Sequence, residues 1–291
     1  MSFSKMHPLT QFLFFAAVIA SVLINSSPVF MLISLFFALF YRTLRIKSLK
    51  IIKEIILYIL LTGFTAFIIT LSCHNGKTAY IFINDNAITK EAIIMGLSYG
   101  LKLSAGVCWL SDMTSVMTAE RLVFVLSRVS SRLAVFISRM MKFFPTMKMQ
   151  YSNIYRTQHN LFSGHKNLRK RILIVFRSFS ALITWSIENS ADTSEAMYAR
   201  GYGLSGRTSM SIYRFRKLDA VLLLLLAYML PFTGASGFFE TTDIKYFPEL
   251  IYTGISYTDI ILWGMWSVIM LIPCITEICE EYKWILLRSK I

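Results

Sequence analysis

Six apolar runs, split by one long basic block, constrain this chain more than any other feature. The runs cover about 9–24, 29–41, 54–72, 91–110, 218–238 and 258–276. A bilayer-crossing helix needs about 20 predominantly apolar residues, because every backbone N–H and C=O must be satisfied within the segment. The last four runs reach about that length. The first two are shorter, and Ser26, Ser27 and Pro28 interrupt them. They read as two short spans, a tilted pair or a re-entrant hairpin. Met1–Pro8 places Lys5 ahead of the first run and lacks a small-residue cleavage site, so it reads as a membrane entry and not as a removed signal. The expected fold class is all-α, a polytopic membrane protein with about six membrane segments and a helical region outside the bilayer. The expected divisions are 1–111, 112–217 and 218–291.

The charge is placed unevenly. Only 16% of residues are charged, yet the net charge is +14. Residues 112–217 hold 17 Lys and Arg against 5 Asp and Glu, which accounts for +12 of that total. The stretch 42–53 carries Arg42, Arg45, Lys47, Lys50 and Lys53 with no acid. The loops at 73–90 and 239–257 hold only Lys77, Lys90 and Lys245 against Asp85, Glu240, Asp243 and Glu249. Cytoplasmic loops carry the Lys and Arg excess. The expectation is therefore that 42–53, 112–217 and both termini are cytoplasmic in a multi-pass protein of the cell (inner) membrane. A nucleic-acid binder would interleave its cations with polar residues, not with apolar spans; no nucleic-acid partner is expected.

The block 112–217 has helical periodicity. Arg121, Arg128, Arg132 and Arg139 are spaced 7, 4 and 7, which on one helix gathers them within roughly 40°. The rest of that surface is apolar, suiting a bundle edge or a helix lying on anionic headgroups. Pro145 opens a second element, in which Met147, Tyr151, Ile154, Leu161 and Phe162 recur at helical spacing up to a Gly164 cap. A third runs from the basic cluster at Lys166–Arg171 to Arg200, with Glu188, Asp192 and Glu195 as an acidic stripe about 100° from Arg200. Gly201 then caps the helix. Arg200 reads either as a cation favoured by the helix dipole or as a planar fork of donors offered to an acidic or carbonyl-lined cleft of another protein.

Catalytic patterns are missing. His7, His74, His159 and His165 form no metal-binding spacing, and Cys73, Cys108, Cys274 and Cys279 form no CxxC pair. The cysteines read as structural and reduced; no metal, no cofactor and no enzymatic activity are expected. No phosphate loop of the Gly-x-x-x-x-Gly-Lys-Ser/Thr type occurs, so the chain is not expected to hydrolyse ATP itself.

The stretch EAMYARGYG at 195–203 resembles the Ala-Arg-Gly signature of the transmembrane T component of energy-coupling factor (ECF) transporters, the EcfT/CbiQ family. MHPLTQFLFF at 6–15 is similar to that family's opening. GRTS at 206–209 and RFRKLDAVLL at 214–223 are similar to its return to the membrane. The resemblance implies a scaffold subunit of an importer for a vitamin or metal ion. Such a scaffold links two cytoplasmic ABC ATPases to a membrane-embedded substrate-binding S component. Each of two coupling helices, in the 112–217 region, docks on one ATPase. Ala199, Arg200 and Gly201 would form the second docking motif. The first should close the helix near 164, and there the chain departs from the pattern: YRTQHNLFSG at 155–164 keeps Gln158 but has Leu161 and Phe162 where Arg-Gly is expected. The first docking site then rests on Arg156, Gln158 and His159, or on apolar contacts, or is weak, a departure that suits two non-identical ATPases.

Within the membrane runs, Gly96, Gly100 and Ser104 are spaced by four, a small-residue stripe that lets helices approach closely. It reads as internal packing or as part of the S-component interface. Lys102 near the middle of its run is a functional-site candidate that also has the option of snorkelling or pairing. Glu54, Glu91, Asp112 and Asp259 sit near run ends, which leaves a proton or ion relay without acids at matching depth. The alternative of a self-contained secondary transporter predicts internal repeats and broken helices; of these the chain has only the broken first pair.

Overall fold

The computed structural model describes residues 3–25, 27–46, 50–73, 76–83, 86–161, 168–204, 213–238, 246 and 257–288. The chain divides into two compact units. Unit 1 comprises Met1–Thr118 with Tyr213–Ile291, and unit 2 comprises Ala119–Ile212.

Unit 1 holds α1 (Pro8–Ile24), α2 (Pro28–Arg45), α3 (Lys50–Ser72), α4 (Lys90–Val116), α8 (Lys217–Phe238) and α9 (Tyr257–Arg288). All six apolar runs are helices. The first two start the same way: a residue in extended conformation, His7 or Ser27, precedes a proline in the first turn. Proline is suited to that position because its missing N–H has no helical partner there. The His7 side chain accepts from Leu9 N–H. α1 packs mainly on α4 and α8, and α2 mainly on α4 and α9. Among the described residues, five helices are long and apolar enough to cross a membrane: α2, α3 from Ile51, α4, α9 from Asp259 and, in unit 2, the helix over Arg171–Ala199; α1 is a shorter apolar helix.

The core of unit 1 is aromatic. Phe3 makes edge contacts with Phe14 at 5.2 Å and Phe15 at 5.8 Å, and Phe14 meets Trp109 at 6.2 Å. Such edge geometry aligns the positive rim of one ring with the negative face of the next. Trp109 is fully buried, and its Nε1 donates to Ser34 Oγ at 2.9 Å. Ser34→Ala therefore strands a buried donor, at an expected cost of about 1–3 kcal/mol. Thermal unfolding in detergent reads this loss, and the same change in a Trp109→Phe background is expected to cost less.

The loop at 73–90 contains a hairpin that the apolar pattern did not announce. β1 (Ala79–Ile83) pairs antiparallel with β2 (Asn86–Thr89), Ile83 opposite Asn86. Its sequence alternates too briefly to be told from loop, and pairing supplies the rest. Thr89 then caps α4 through Ala92 N–H, and buried Glu91 accepts from Thr78 Oγ1 at 2.8 Å.

One end of unit 1 collects the basic helix ends. Phe3 lies 6.4 Å from Tyr41, Lys5 pairs with Glu280, and His7 N–H donates to Asp219. Arg42 pairs with both Glu54 and Asp112. The start of α1, the end of α2, the starts of α3 and α8 and the ends of α4 and α9 thus share one end, with the hairpin at the far ends of α3 and α4. The acidic loop at 239–257 lies almost wholly outside the described residues.

Unit 2 holds α5 (Ala119–Val129), α6 (Ser131–Leu161) and α7 (Leu168–Ala199). Two expectations are corrected here. The four arginines do not share one helix. α5 stops at Val129 and α6 starts at Ser131, so Arg121 and Arg128 fall on one helix and Arg132 and Arg139 on the next. Ser130 sits at the junction, donating its N–H to Leu126 and accepting from Ala134 N–H. Consecutive serines compete for backbone hydrogen bonds and favour such breaks. Nor does Pro145 start a helix, since it lies inside α6. The helix runs through it with one backbone hydrogen bond fewer, since proline has no N–H to donate.

Candidate functional site

The Ala199-Arg200-Gly201 segment closes α7 with a specific cap. Gly201 has φ of 74° and Gly203 of 100°. The left-handed region is costly for a residue with a Cβ, and glycine enters it freely. Gly201 N–H donates to Tyr198 O at 2.9 Å, and Tyr202 N–H donates to Met197 O at 3.1 Å. These paired bonds are the Schellman arrangement, which satisfies carbonyls left over at a helix C-terminus. Arg200 is the C-cap residue of that turn. Its position beside the unpaired carbonyls is favourable for a cation. It is exposed and makes no ion pair among the described residues. Tyr198 (84% exposed) and Leu204 (74%) flank it. The last turn of α7 is held against α6, where Arg139 Nε donates to Met197 Sδ at 3.2 Å.

The second candidate set lies near the end of α6. Arg156 and His159 are exposed, one helical turn apart; Gln158 is half-buried about 200° from Arg156. Tyr151, Tyr155 and His159 form a ring ladder at 6.0 and 6.1 Å along the helix. Phe162, Ser163 and Gly164 lie outside the described residues, as does 206–209. α6 and α7 meet in a groove lined by Arg139, Lys142, Phe143, Asn189, Thr193 and Met197, among others. Arg156 is ten residues beyond Thr146, the far end of that contact on α6, or about 15 Å along the axis. The structure therefore keeps Arg156, Gln158 and His159 apart from Ala199–Gly201, as two separate tips of one unit.

Gly96, Gly100 and Ser104 are buried in unit 1. α3 covers their face of α4. A Cβ built on Gly96 would stand 2.7 Å from Ala66 O, and one on Gly100 2.7 Å from Thr62 O. Ser104 Oγ bonds back to Leu101 O at 2.9 Å. Lys102 is half-buried on the same helix. Among the described residues, no group of three or more His, Cys, Asp or Glu side chains converges as metal ligands would.

Two clusters escaped the pattern of the sequence. Asp219, in the first turn of α8, accepts from Arg216 N–H at 3.0 Å and from His7 N–H at 3.2 Å, and Phe215 packs edge-on against the His7 ring at 5.5 Å. The opening HP motif and the RFRKLD motif thus meet. The other cluster surrounds Arg42. An i, i+3 pair of arginines at one predicted cytoplasmic helix end and an Asp/Ser pair at i, i+3 on another were the signal available for it.

Apolar helices long enough to span, gathered around an aromatic core, with a second unit ending in an exposed capped cation, define a polytopic helical membrane protein. The sequence matches the cobalt transport protein family (CbiQ) over residues 2–211, and the chain belongs to that family of membrane transport components. No curated protein matches it.

Proposed function

We propose that this chain is the transmembrane energy-coupling scaffold of an ECF-type ABC importer. It joins a pair of cytoplasmic ATPases to a membrane-embedded substrate-binding S component. Unit 2 is its cytoplasmic coupling region, and the end of unit 1 that carries Arg42, Arg45 and Lys5 faces the cytoplasm. The observation that carries this reading is Arg200, a cation fixed at the tip of a capped helix with no anion beside it in the described fold. A planar guanidinium held this way is suited to an acidic or carbonyl-lined groove on a partner. By length and composition α7 could span; its acidic Glu188, Asp192 and Glu195 and its packing against the basic α6 support the reading of it as part of the coupling region. The cargo is a vitamin or a metal ion, and the family's description makes cobalt the first to test.

Copurification tests the reading. A tagged chain, expressed with the products of its neighbouring genes, is expected to bring down two ATPase chains and a small membrane protein. Uptake by the purified chain alone in liposomes would instead favour a self-contained transporter.

A further inference from the structure

The two arginines that close α2 do more than bias topology. Arg42 NH1 donates to Asp112 Oδ1 at 2.9 Å, while its Nε pairs with Glu54. Arg45 donates to Ser115 Oγ at 2.6 Å and to Ser115 O at 2.9 Å. Both targets lie near the C-terminus of α4. Asp112 is 2% exposed, and the Arg42 side chain is 13% exposed. Ser115 O is among the carbonyls that a helix C-terminus leaves without an internal partner. Two donors spaced i, i+3 on α2 thus grip two acceptors spaced i, i+3 on α4. Glu54 ties the start of α3 into the same knot. Arg42 thus lies between two carboxylates, while Arg45 meets a hydroxyl and a carbonyl.

Its position along the chain gives the cluster its significance. α4 ends at Val116, and the first segment of unit 1 ends two residues later at Thr118. The clamp therefore holds the point at which the chain leaves for unit 2. We infer that Arg42 and Arg45 are positioning residues that transmit displacement of unit 2 into α2, α3 and α4 by gripping the last turns of α4. A displacement carried through Thr118 reaches α4 within two residues. An unclamped helix end would fray and absorb it. A clamped end passes it to two neighbouring helices. This inference rests on the coupling role proposed above.

The test uses the assembled complex in liposomes and reads cargo moved per ATP hydrolysed. Arg42→Gln, Asp112→Asn, Arg45→Gln and the Arg42/Asp112 double variant are compared with wild type at equal ATPase content. The expected result is an unchanged rate of ATP hydrolysis with transport per ATP lowered about 2- to 30-fold, the range in which such contacts modulate coupling. The double variant should lose no more than Arg42→Gln alone, because the Arg42–Asp112 contact is already gone in that single variant. Arg45→Gln leaves the buried pair intact and serves if the buried variants fail to assemble. Transport per ATP at the wild-type value in Arg45→Gln and in every assembled Arg42 or Asp112 variant would overturn the clamp, as would additive losses in the double. A wild-type chain that retains no ATPases would instead defeat the coupling role itself, a separable outcome.

Discussion

Arg200→Glu is expected to abolish cargo uptake while leaving membrane insertion and helical content intact. The side chain is exposed and makes no ion pair among the described residues, so the fold has little to lose. A docked partner has much to lose. Removing one side of a desolvated, hydrogen-bonded charge pair costs about 2–5 kcal/mol, roughly a 30- to 5,000-fold loss of affinity. Reversal of charge adds repulsion to that. The readout is ATPase retained on the immobilised chain, alongside uptake in cells. Arg200→Lys separates a bidentate contact from a point charge, since an ammonium cannot reproduce the planar fork. Arg156→Ala gives the comparison at the other tip. If each tip serves its own ATPase, each variant loses a different one, whereas equal loss of both ATPases in both variants would refute that assignment. Uptake at the wild-type level in Arg200→Glu would remove Arg200 from the docking role.

Gly96→Ala and Gly100→Ala are expected to destabilise unit 1 by about 1–3 kcal/mol each, the usual cost of overpacking. The reason is geometric. The new methyl would stand 2.7 Å from a backbone carbonyl oxygen of α3 at either site. Backbone cannot rotate aside as a side-chain tip can, so α3 must back away from α4. The two sites lie one turn apart on the same contact, and the double variant is not expected to be additive. Gly63 and Gly106 supply the controls, because a Cβ at either meets nothing within 4 Å. Alanine there should be neutral or stabilising by about 0.5–1 kcal/mol, from helix propensity alone. Thermal unfolding of the purified protein in detergent distinguishes the two pairs. Equal behaviour of all four variants would show that the α3–α4 contact tolerates separation.

Much of this protein was legible before any coordinates, for a physical reason. Apolar length decides which segments become helices in or beside a bilayer, and it is a local property. All six apolar runs became helices, and His7-Pro8 and Ser27-Pro28 marked the starts of two of them. Gly201 was legible as a cap because the left-handed turn selects glycine whatever surrounds it. Even the small-residue stripe at Gly96, Gly100 and Ser104 could be picked out, although not the helix that would fill it.

Tertiary structure decided the pairings. Arg42 was one of five cations in a basic stretch, and nothing local distinguished it from Lys47. It became a hub because the end of α2 lies beside the start of α3 and the end of α4, where Glu54 and Asp112 wait. Asp219 took the His7 N–H because α8 returns next to α1, more than two hundred residues away in sequence. Pro145 looked like a boundary and is helix interior, with α6 continuing through it to Leu161. Local chemistry determined which segments are helices and how their ends are capped; the partners of the polar residues at those ends depended on which ends the packing brought together.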